Sequence, residues 1–296
     1  MRCPRRPRAD MCQGGRGRRQ RRGFEGPRST EGAIVKKIVA IANQKGGVGK
    51  TTTSVNLAAC LAAESCRVLL IDLDPQGNAT SGVGVDREEC DTSIYDALVG
   101  LRSVETLIRS TQTENLDLIP STTDLAGAQI ELVSADDREF RLRQALEKVP
   151  DDYDFVILDC PPSLGLLTIN ALAAANTVLV PIQTEYYALE GLGHLLRTIE
   201  LIHEHLNPAL TIEGILLTMY DSRTNLSEQV ATEVSTHFGE LVFQTVIPRN
   251  VRLGEAPSFG MPISEYDRSS RGAISYRDFA REFLKRNGHG GVSASA

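Results

Sequence analysis

The chain has 296 residues, of which 41% are hydrophobic, so it can form a full core in one large domain. No apolar run approaches the roughly 18 residues that a membrane span requires, and the six cysteines show no paired metal-ligand spacing, which excludes a membrane-spanning protein and a cysteine-based zinc site. The net charge of −6 is uneven: the first 30 residues hold ten arginines and two acidic residues, whereas the remainder has 22 basic and 36 acidic residues.

Three segments are predicted from this composition. Residues 1–32 form an Arg-, Gly- and Pro-rich leader, expected to be disordered, without the apolar region of a secretory signal. The leader is either an overlong start, meaning translated upstream sequence or a dispensable segment, or a nucleic-acid-binding arm. Residues 33–287 are predicted to form a single domain, and residues 288–296 a flexible Gly- and Ser-containing tail. Single cysteines inside apolar runs favour a reducing, cytoplasmic compartment.

Strand-like and helical patterns alternate along the predicted domain. Most of the strand-like runs are continuously apolar, which is typical of strands buried on both faces. The strands are predicted at 37–42, 67–72, 116–120, 155–159, 177–181, 212–218 and 241–247. The helices are predicted at 51–64, 137–148, 166–174, 189–206, 226–238 and 273–285. This order predicts an α/β fold with a doubly wound, mainly parallel sheet flanked by helices.

A glycine-rich loop follows the first predicted strand and opens the first predicted helix, as a phosphate-binding loop requires. Its glycines allow close backbone approach, and its N–H groups form a cradle for the phosphates of ATP at the helix N-terminus. We expect Lys50 to reach the β- and γ-phosphates and the Thr51 hydroxyl to bind Mg²⁺. The predicted nucleotide-binding residues of the loop are Lys45, Gly46, Gly47, Val48, Gly49, Lys50, Thr51 and Thr52.

Two predicted strands end in carboxylates. Asp72 and Asp74 follow one apolar run, and Asp159 ends another. In an ATP–Mg²⁺ site such carboxylates hold the water shell of the ion and orient the attacking water. The predicted Mg²⁺ site therefore combines Thr51, Asp74 and Asp159. Asp72 is either part of this chemistry or a buried structural partner.

The loop differs from the ordinary phosphate-loop motif at two positions. Gln44 stands where that motif has glycine, and Lys45 is an additional lysine. In this the sequence resembles the deviant Walker A family of P-loop ATPases, which includes ParA/Soj partitioning ATPases, MinD and the nitrogenase iron protein. The resemblance implies an ATP-sandwich homodimer in which Lys45 reaches the phosphates of the other subunit. It also implies that Asp74 supports water activation and that Asp159 holds the Mg²⁺ shell, so the expected catalytic residues are Lys45, Lys50 and Asp74.

Four further segments are similar to the small, Soj-type ParA proteins, at 72–80, 159–163, 181–191 and 246–258. The resemblance implies a slow, partner-stimulated ATP hydrolase that drives chromosome or plasmid partitioning, is cytoplasmic and nucleoid-associated, and forms no stable membrane association. It implies non-specific double-stranded DNA binding by the ATP-bound dimer through Arg223 and Arg252. Pro248 and Asn250 would border the adenine. The implied partner is a ParB-type centromere-binding protein, and some relatives are linked to the replication-initiation machinery.

Three alternatives remain at this stage. A MinD-like membrane-cycling ATPase needs a C-terminal helix that inserts into lipid, whereas the stripe formed by Phe279, Phe283 and Leu284 is more typical of core packing. A nitrogenase-type ATPase needs cysteines that bridge a cluster between subunits. Cys160 follows the strand-end aspartate, but no second cysteine has a matching context. A nucleotide-gated DNA-coating scaffold with negligible turnover is the third alternative, and Asp74 argues against complete inactivity.

Overall fold

The computed structural model describes residues 36–186 and 188–289, so the predicted leader (1–32) and tail residues 290–296 lie outside the described part. Within it the strands are β1 (Lys37–Ile41), β2 (Val68–Asp72), β3 (Arg109–Ser110), β4 (Leu116–Ile119), β5 (Phe155–Asp159), β6 (Thr177–Gln183) and β7 (Thr211–Thr218). The helices are α1 (Lys50–Ala63), α2 (Asn78–Gly82), α3 (Ile94–Leu98), α4 (Leu125–Glu131), α5 (Arg141–Leu146), α6 (Leu166–Ala174), α7 (Ala188–His205), α8 (Asn225–Phe238), α9 (Val251–Glu255), α10 (Ile263–Tyr266) and α11 (Arg271–Arg286).

The seven described strands form one sheet in the order β3-β4-β2-β5-β1-β6-β7. Every neighbouring pair is parallel except β3 with β4. Successive residues of β1 pack on opposite faces: Ala40 belongs to an apolar cluster with α3 to α7, and Val39 and Ile41 belong to one with α1 and α11. Burial on both faces explains the continuously apolar strands. The predicted doubly wound, mainly parallel α/β fold is confirmed.

The register of the central strands brings the candidate site together. β5 lies between β1 and β2, with Asp159 opposite Ile41 on one side and Asp72 on the other. The loop that leaves β1 and the two carboxylate-bearing strand ends therefore meet at one edge of the sheet. This is the edge at which open α/β sheets bind ligands.

The predicted strand at 241–247 is wrong. The chain there forms a 3₁₀ turn (Gly239–Leu241) and then an irregular segment with one bridge to β7, between Val242 and Ile215. The N–H groups of Phe243 and Ile247 still donate to carbonyls of β7, each at 2.9 Å. The backbone N–H groups of Gln244 and Thr245 donate to the Glu282 carboxylate of α11, each at 2.8 Å, and so are not available to β7. A carboxylate from a distant helix thus interrupts the backbone pairing with β7, and local sequence does not reveal this contact.

Two further elements, α5 and β3, differ from the predictions. The helix predicted at 137–148 is limited to Arg141–Leu146, and Asp137 has a φ of +54°, a left-handed conformation that a helix cannot contain. The short edge strand β3 was not predicted. Its two residues are too few for a periodic pattern, and its pairing is antiparallel, unlike the rest of the sheet.

The C-terminal helix α11 packs against the sheet through its aromatic side chains. Phe279 and Phe283 are fully buried, and their rings contact Phe243 and Phe155 edge-on, at centroid distances of 4.8 and 5.5 Å. The stripe is therefore part of the core, as its spacing indicated. In the described ranges, no helix combines the length and the apolar character that crossing a bilayer demands.

The contact between β7 and the irregular segment gives a stability prediction. A Cβ at Gly214 would lie 2.5 Å from the Phe243 ring and 2.8 Å from the Leu241 carbonyl oxygen. We expect Gly214→Ala to lower the free energy of unfolding by about 1–3 kcal/mol in urea denaturation. The control is Gly193→Ala in α7, where nothing lies within 4 Å; it should be neutral or stabilise by up to about 1 kcal/mol. Equal effects of the two substitutions would contradict the packing described here.

Candidate active site

The glycine-rich loop joins β1 to α1 in the geometry that phosphate binding requires. Gly47 and Gly49 have φ values of +74° and +85°, a region that favours glycine because it has no Cβ. The Gly49 carbonyl accepts the Thr53 N–H at 2.8 Å and so begins the 14-residue α1. The remaining N–H groups of the first turn have no partner inside the helix, which makes this end of α1 suited to an anion.

Neighbouring strands fix the loop from two sides. The Thr218 hydroxyl, at the end of β7, lies 2.8 Å from the Val48 carbonyl and 3.0 Å from the Ile182 carbonyl. The Asn43 side chain donates to the Pro181 carbonyl at 2.7 Å and accepts the Lys45 N–H at 3.0 Å. Sequence reasoning did not single out these two anchors. Their only signal is a polar side chain directly at the end of an apolar strand.

Lys50 lies almost fully inside the site, with 6% of its surface exposed. Its ammonium group donates to the Lys45 carbonyl at 3.1 Å, across the loop. Burial lowers the pKa of Lys50, and the nearby charges of Asp159, Cys160 and Asp74 oppose that change. Lys50 is thus a desolvated cation beside the phosphate cradle, where it can contact phosphate oxygens.

Lys45 has a different environment. Its ammonium group lies 2.7 Å from a carboxylate oxygen of Glu185, and the two side chains are 41% and 45% exposed. The other Glu185 oxygen accepts a hydrogen bond from the Gln183 amide. The side chain of Lys45 therefore contacts the segment after β6 and does not fold back onto its own loop. Glu185 is a further contact that sequence reasoning did not identify.

Asp72 is a structural residue in this arrangement. It is fully buried, and one oxygen accepts the Asp74 N–H at 3.1 Å. Its other oxygen accepts both the N–H and the hydroxyl of Thr80, each at 2.8 Å. These bonds tie the end of β2 to the start of α2. The geometry thus assigns Asp72 to the second of the two roles that the sequence left open.

Asp159 is equally buried but only half satisfied. One oxygen accepts the Ser54 hydroxyl at 2.7 Å, and the other is buried without a hydrogen-bond partner among the described residues. Burial raises the pKa of Asp159, as does the charge of Asp72 opposite, whereas the Ser54 and Thr51 hydroxyls lower it. A cation or its bound water would satisfy the free oxygen, so the residues present fit Mg²⁺.

Asp74 lies two residues beyond the end of β2, at the same edge of the sheet as Asp159, with 8% of its surface exposed. One carboxylate oxygen accepts the Gln76 N–H at 3.0 Å, and its carbonyl accepts the Ser121 hydroxyl at 2.7 Å. In the described ranges, no three His, Cys, Asp or Glu side chains are grouped to hold a metal ion. Mg²⁺ would therefore depend on Thr51, Asp159 and Asp74 together with phosphate oxygens and water, a mixed ligand set that this ion commonly uses.

The predicted adenine-contact residues lie after the irregular segment that follows β7. Pro248 forms a single bridge with Tyr220. The Asn250 side-chain oxygen accepts the Arg252 N–H at 2.8 Å and caps α9. Both residues have defined local roles, and their contacts with adenine stay predictions.

The two predicted DNA-binding arginines are exposed but paired. Arg223 is 84% exposed, and its guanidinium binds both oxygens of Asp221, at 2.9 and 2.7 Å. Arg252 is 54% exposed and lies 2.8 Å from Glu255 and 3.6 Å from Asp267. Each cation is available at the surface, although an acidic neighbour already compensates part of its charge.

Comparison with known proteins places the chain in a family. A family model described as an AAA domain matches residues 36–212. The sporulation initiation inhibitor protein Soj of Bacillus subtilis is 61% identical over 246 residues, which cover 83% of this chain and 97% of that protein. The chain belongs to the Soj/ParA family of chromosome-partitioning ATPases. The chromosome partitioning protein ParA of Myxococcus xanthus is 55% identical over 255 residues, covering 86% of this chain and 90% of its own length.

Solved structures share the fold of this Soj/ParA-family chain. Cobyrinic acid a,c-diamide synthase from Mycobacterium smegmatis, with bound ATP analog and magnesium, has a TM-score of 0.76 and 41% identity and covers 87% of this chain and 98% of its own. The septum site-determining protein MinD from Pyrococcus horikoshii, complexed with Mg-ADP, has a TM-score of 0.70 and 25% identity, covering 87% and 100%. These similarities and the loop geometry agree that the chain is a P-loop ATPase.

The different roles of Asp72, at the end of β2, and Asp74, just beyond it, can be separated by substitution. Asp72→Ala should lower the free energy of unfolding by about 1–3 kcal/mol, because it leaves the buried Thr80 donors unsatisfied. Asp74→Ala should lose most ATP hydrolysis with a smaller loss of stability. Urea denaturation and steady-state phosphate release measure the two effects. Normal hydrolysis by Asp74→Ala, or normal stability of Asp72→Ala, would contradict these assignments.

Proposed function

We propose that this Soj/ParA-family ATPase is a nucleotide-driven dimer that binds DNA without sequence preference in its ATP state and partitions a chromosome or plasmid. The observation that carries the proposal is the position of Lys45. Its ammonium group lies on the carboxylate of Glu185 at the surface, although its backbone belongs to the phosphate loop. A loop lysine that faces outward can complete the nucleotide site of a second subunit.

The pairing with Glu185 is weak enough to exchange. Both side chains are close to half exposed, and pairs of this kind contribute about 0–1 kcal/mol. A triphosphate brought by a second subunit offers several anionic oxygens in a site closed from water, where a charge-assisted contact is stronger. ATP binding would therefore favour the dimer through Lys45, and loss of the γ-phosphate would remove that contact.

Hydrolysis follows from the residues around the loop. Lys50 and the N–H groups of the loop hold the phosphates and stabilise the negative charge that moves to the leaving oxygen. Thr51 and Asp159 would hold Mg²⁺, which would supply further charge neutralisation when bound. Asp74, just beyond the end of β2, would position the attacking water. Because the residues around the loop supply mainly positioning and charge, we infer a slow ATPase whose partner completes the site.

DNA binding is assigned to Arg223 and Arg252 in the dimer. Phosphate contacts need exposed cations and give affinity without reading sequence. One protomer offers few such cations, each partly compensated by its neighbouring carboxylate. Two protomers double the number of arginines on one surface. DNA affinity would thus depend on ATP, because the dimer does.

The partners of the protein and its location in the cell are inferred from its relatives. The names of the Soj and ParA relatives support a partitioning role, in which a ParB-type centromere-binding protein stimulates hydrolysis and releases the dimer from DNA. The protein would then be cytoplasmic and nucleoid-associated without stable membrane association. The replication-initiation machinery is proposed as a further partner. The burial of Phe279 and Phe283 gives no support to a membrane-inserting α11.

The role of Lys45 is tested by two matched substitutions. Lys45→Ala should keep ATP binding but abolish ATP-dependent dimerisation, measured by sedimentation with a non-hydrolysable ATP analogue. Glu185→Gln breaks only the surface pair, so the dimer dissociation constant should change by about fivefold or less. A Lys45→Ala dimer of normal affinity would contradict the proposal. Loss of ATP binding in that variant would show instead that Lys45 acts within its own subunit.

A further inference from the structure

A cavity outside the nucleotide site collects positive charge. It has a volume of about 300 Å³ and lies between the segment that follows α3 and the helix α5. Three cationic side chains line it, Arg102, Arg141 and Lys148, together with the polar groups of Ser103 and Gln144. The rest of the described chain carries more acidic than basic residues, so this grouping stands out against its surroundings.

The cations of this cavity are incompletely paired. Arg102 lies 3.9 Å from Asp96, at the limit of an ion pair. Arg141 donates to the Asp136 carbonyl at 3.0 Å, but its Nε is buried and has no hydrogen-bond partner among the described residues. Within residues 36–186 and 188–289, the ammonium group of Lys148 forms neither a hydrogen bond nor an ion pair, and only its backbone N–H has a partner, the Ala145 carbonyl. The exposed parts of these cations therefore keep donor capacity that a bound anion could use.

The nearest opposing acids do not neutralise the cavity. Asp96 accepts the Ser93 N–H at 2.8 Å in the cap of α3, in addition to its distant contact with Arg102. Glu105 is held by the Ser103 hydroxyl, and this bond, followed by smaller contributions that include the charge of Lys148, lowers the pKa of Glu105. Two carboxylates, each of which also accepts a local hydrogen bond, thus face three cations. A net positive charge remains for a ligand.

The cavity is separate from the sites described above. None of its lining residues belongs to the phosphate loop, to the carboxyl ends of the central strands or to the region of Arg223 and Arg252. It lies beside α5, on the face of the sheet that carries α3 to α7, whereas the phosphate loop leads into α1 on the other face. An anion bound there would not compete directly with ATP.

We propose that this cavity is a second anion site, which binds a small molecule that carries a phosphate or diphosphate group. Arginine guanidinium groups present several donors in a plane and suit phosphate oxygens, and a lysine adds a mobile point charge. The volume is at the lower end of the range for small-molecule sites. The polar lining disfavours an apolar ligand.

The test uses pyrophosphate as the probe and the full-length protein saturated with ADP and Mg²⁺, so that the phosphate loop is occupied. Isothermal titration in matched magnesium buffer should show one saturable site. Lys148→Gln changes an exposed side chain with no described partner and should weaken binding several-fold without loss of stability. The double variant Arg141→Gln with Lys148→Gln should weaken it at least about tenfold.

Arg143→Gln is the matched control, because Arg143 is exposed on the same helix and does not line the cavity. It should bind pyrophosphate like the wild type. The absence of saturable binding in the ADP-saturated wild type would overturn the proposal. An equal loss in Arg143→Gln and Lys148→Gln would also overturn it, since binding would then follow overall charge and not this cavity.

Discussion

The active site depends on the burial of charge at the ends of β2 and β5. Asp72 and Asp159 occupy paired positions on adjacent strands, and both are inaccessible to water. Two carboxylates so close together need local compensation, because burial and mutual repulsion both favour the protonated forms. Thr80 and the Asp74 N–H compensate Asp72, whereas Ser54 compensates only half of Asp159. The unsatisfied half faces the place where the phosphates and Mg²⁺ are expected.

The ammonium group of Lys50 partly offsets the negative charge of these buried carboxylates. Its own burial disfavours the charged form, and the charges of Asp159 and Asp74 counteract that effect. The loop can hold such a cation because Thr218 and Asn43 fix it to β6 and β7. A bound nucleotide would therefore meet a site whose charges are already placed, which reduces the cost of reorganisation during the reaction.

The parts of the structure that could be predicted from sequence are those encoded by nearby residues. The phosphate loop, Asp74 and Asp159 follow from short motifs, and the parallel sheet follows from apolar runs that separate helical patterns. Distant partners could not be predicted in the same way. Glu282 interrupts the backbone pairing with β7 at Gln244 and Thr245, and only the folded chain brings these residues together. The contact between Lys45 and Glu185 spans 140 residues in the same manner.

The electrostatics of the surface constrain how such an acidic chain could bind DNA. From Asp221 to Arg286 the sequence holds nine basic and nine acidic residues, so the excess of negative charge lies elsewhere. Arg223 and Arg252 belong to this balanced region, and each must leave a carboxylate to contact phosphate. Such an exchange is favourable only when several cations act together. The proposed dimer would meet that condition, and DNA affinity would then follow the nucleotide state.

The most direct test is DNA binding by the purified protein, with a random-sequence duplex, in ATP, in ADP and without nucleotide, across a salt series. We expect binding in ATP alone. If the four arginines of a dimer each contact a phosphate, the logarithm of the affinity falls with that of the salt concentration with a slope of about −3.6. Absence of binding in all three states, or equal binding in all of them, would contradict a nucleotide-gated DNA-binding dimer.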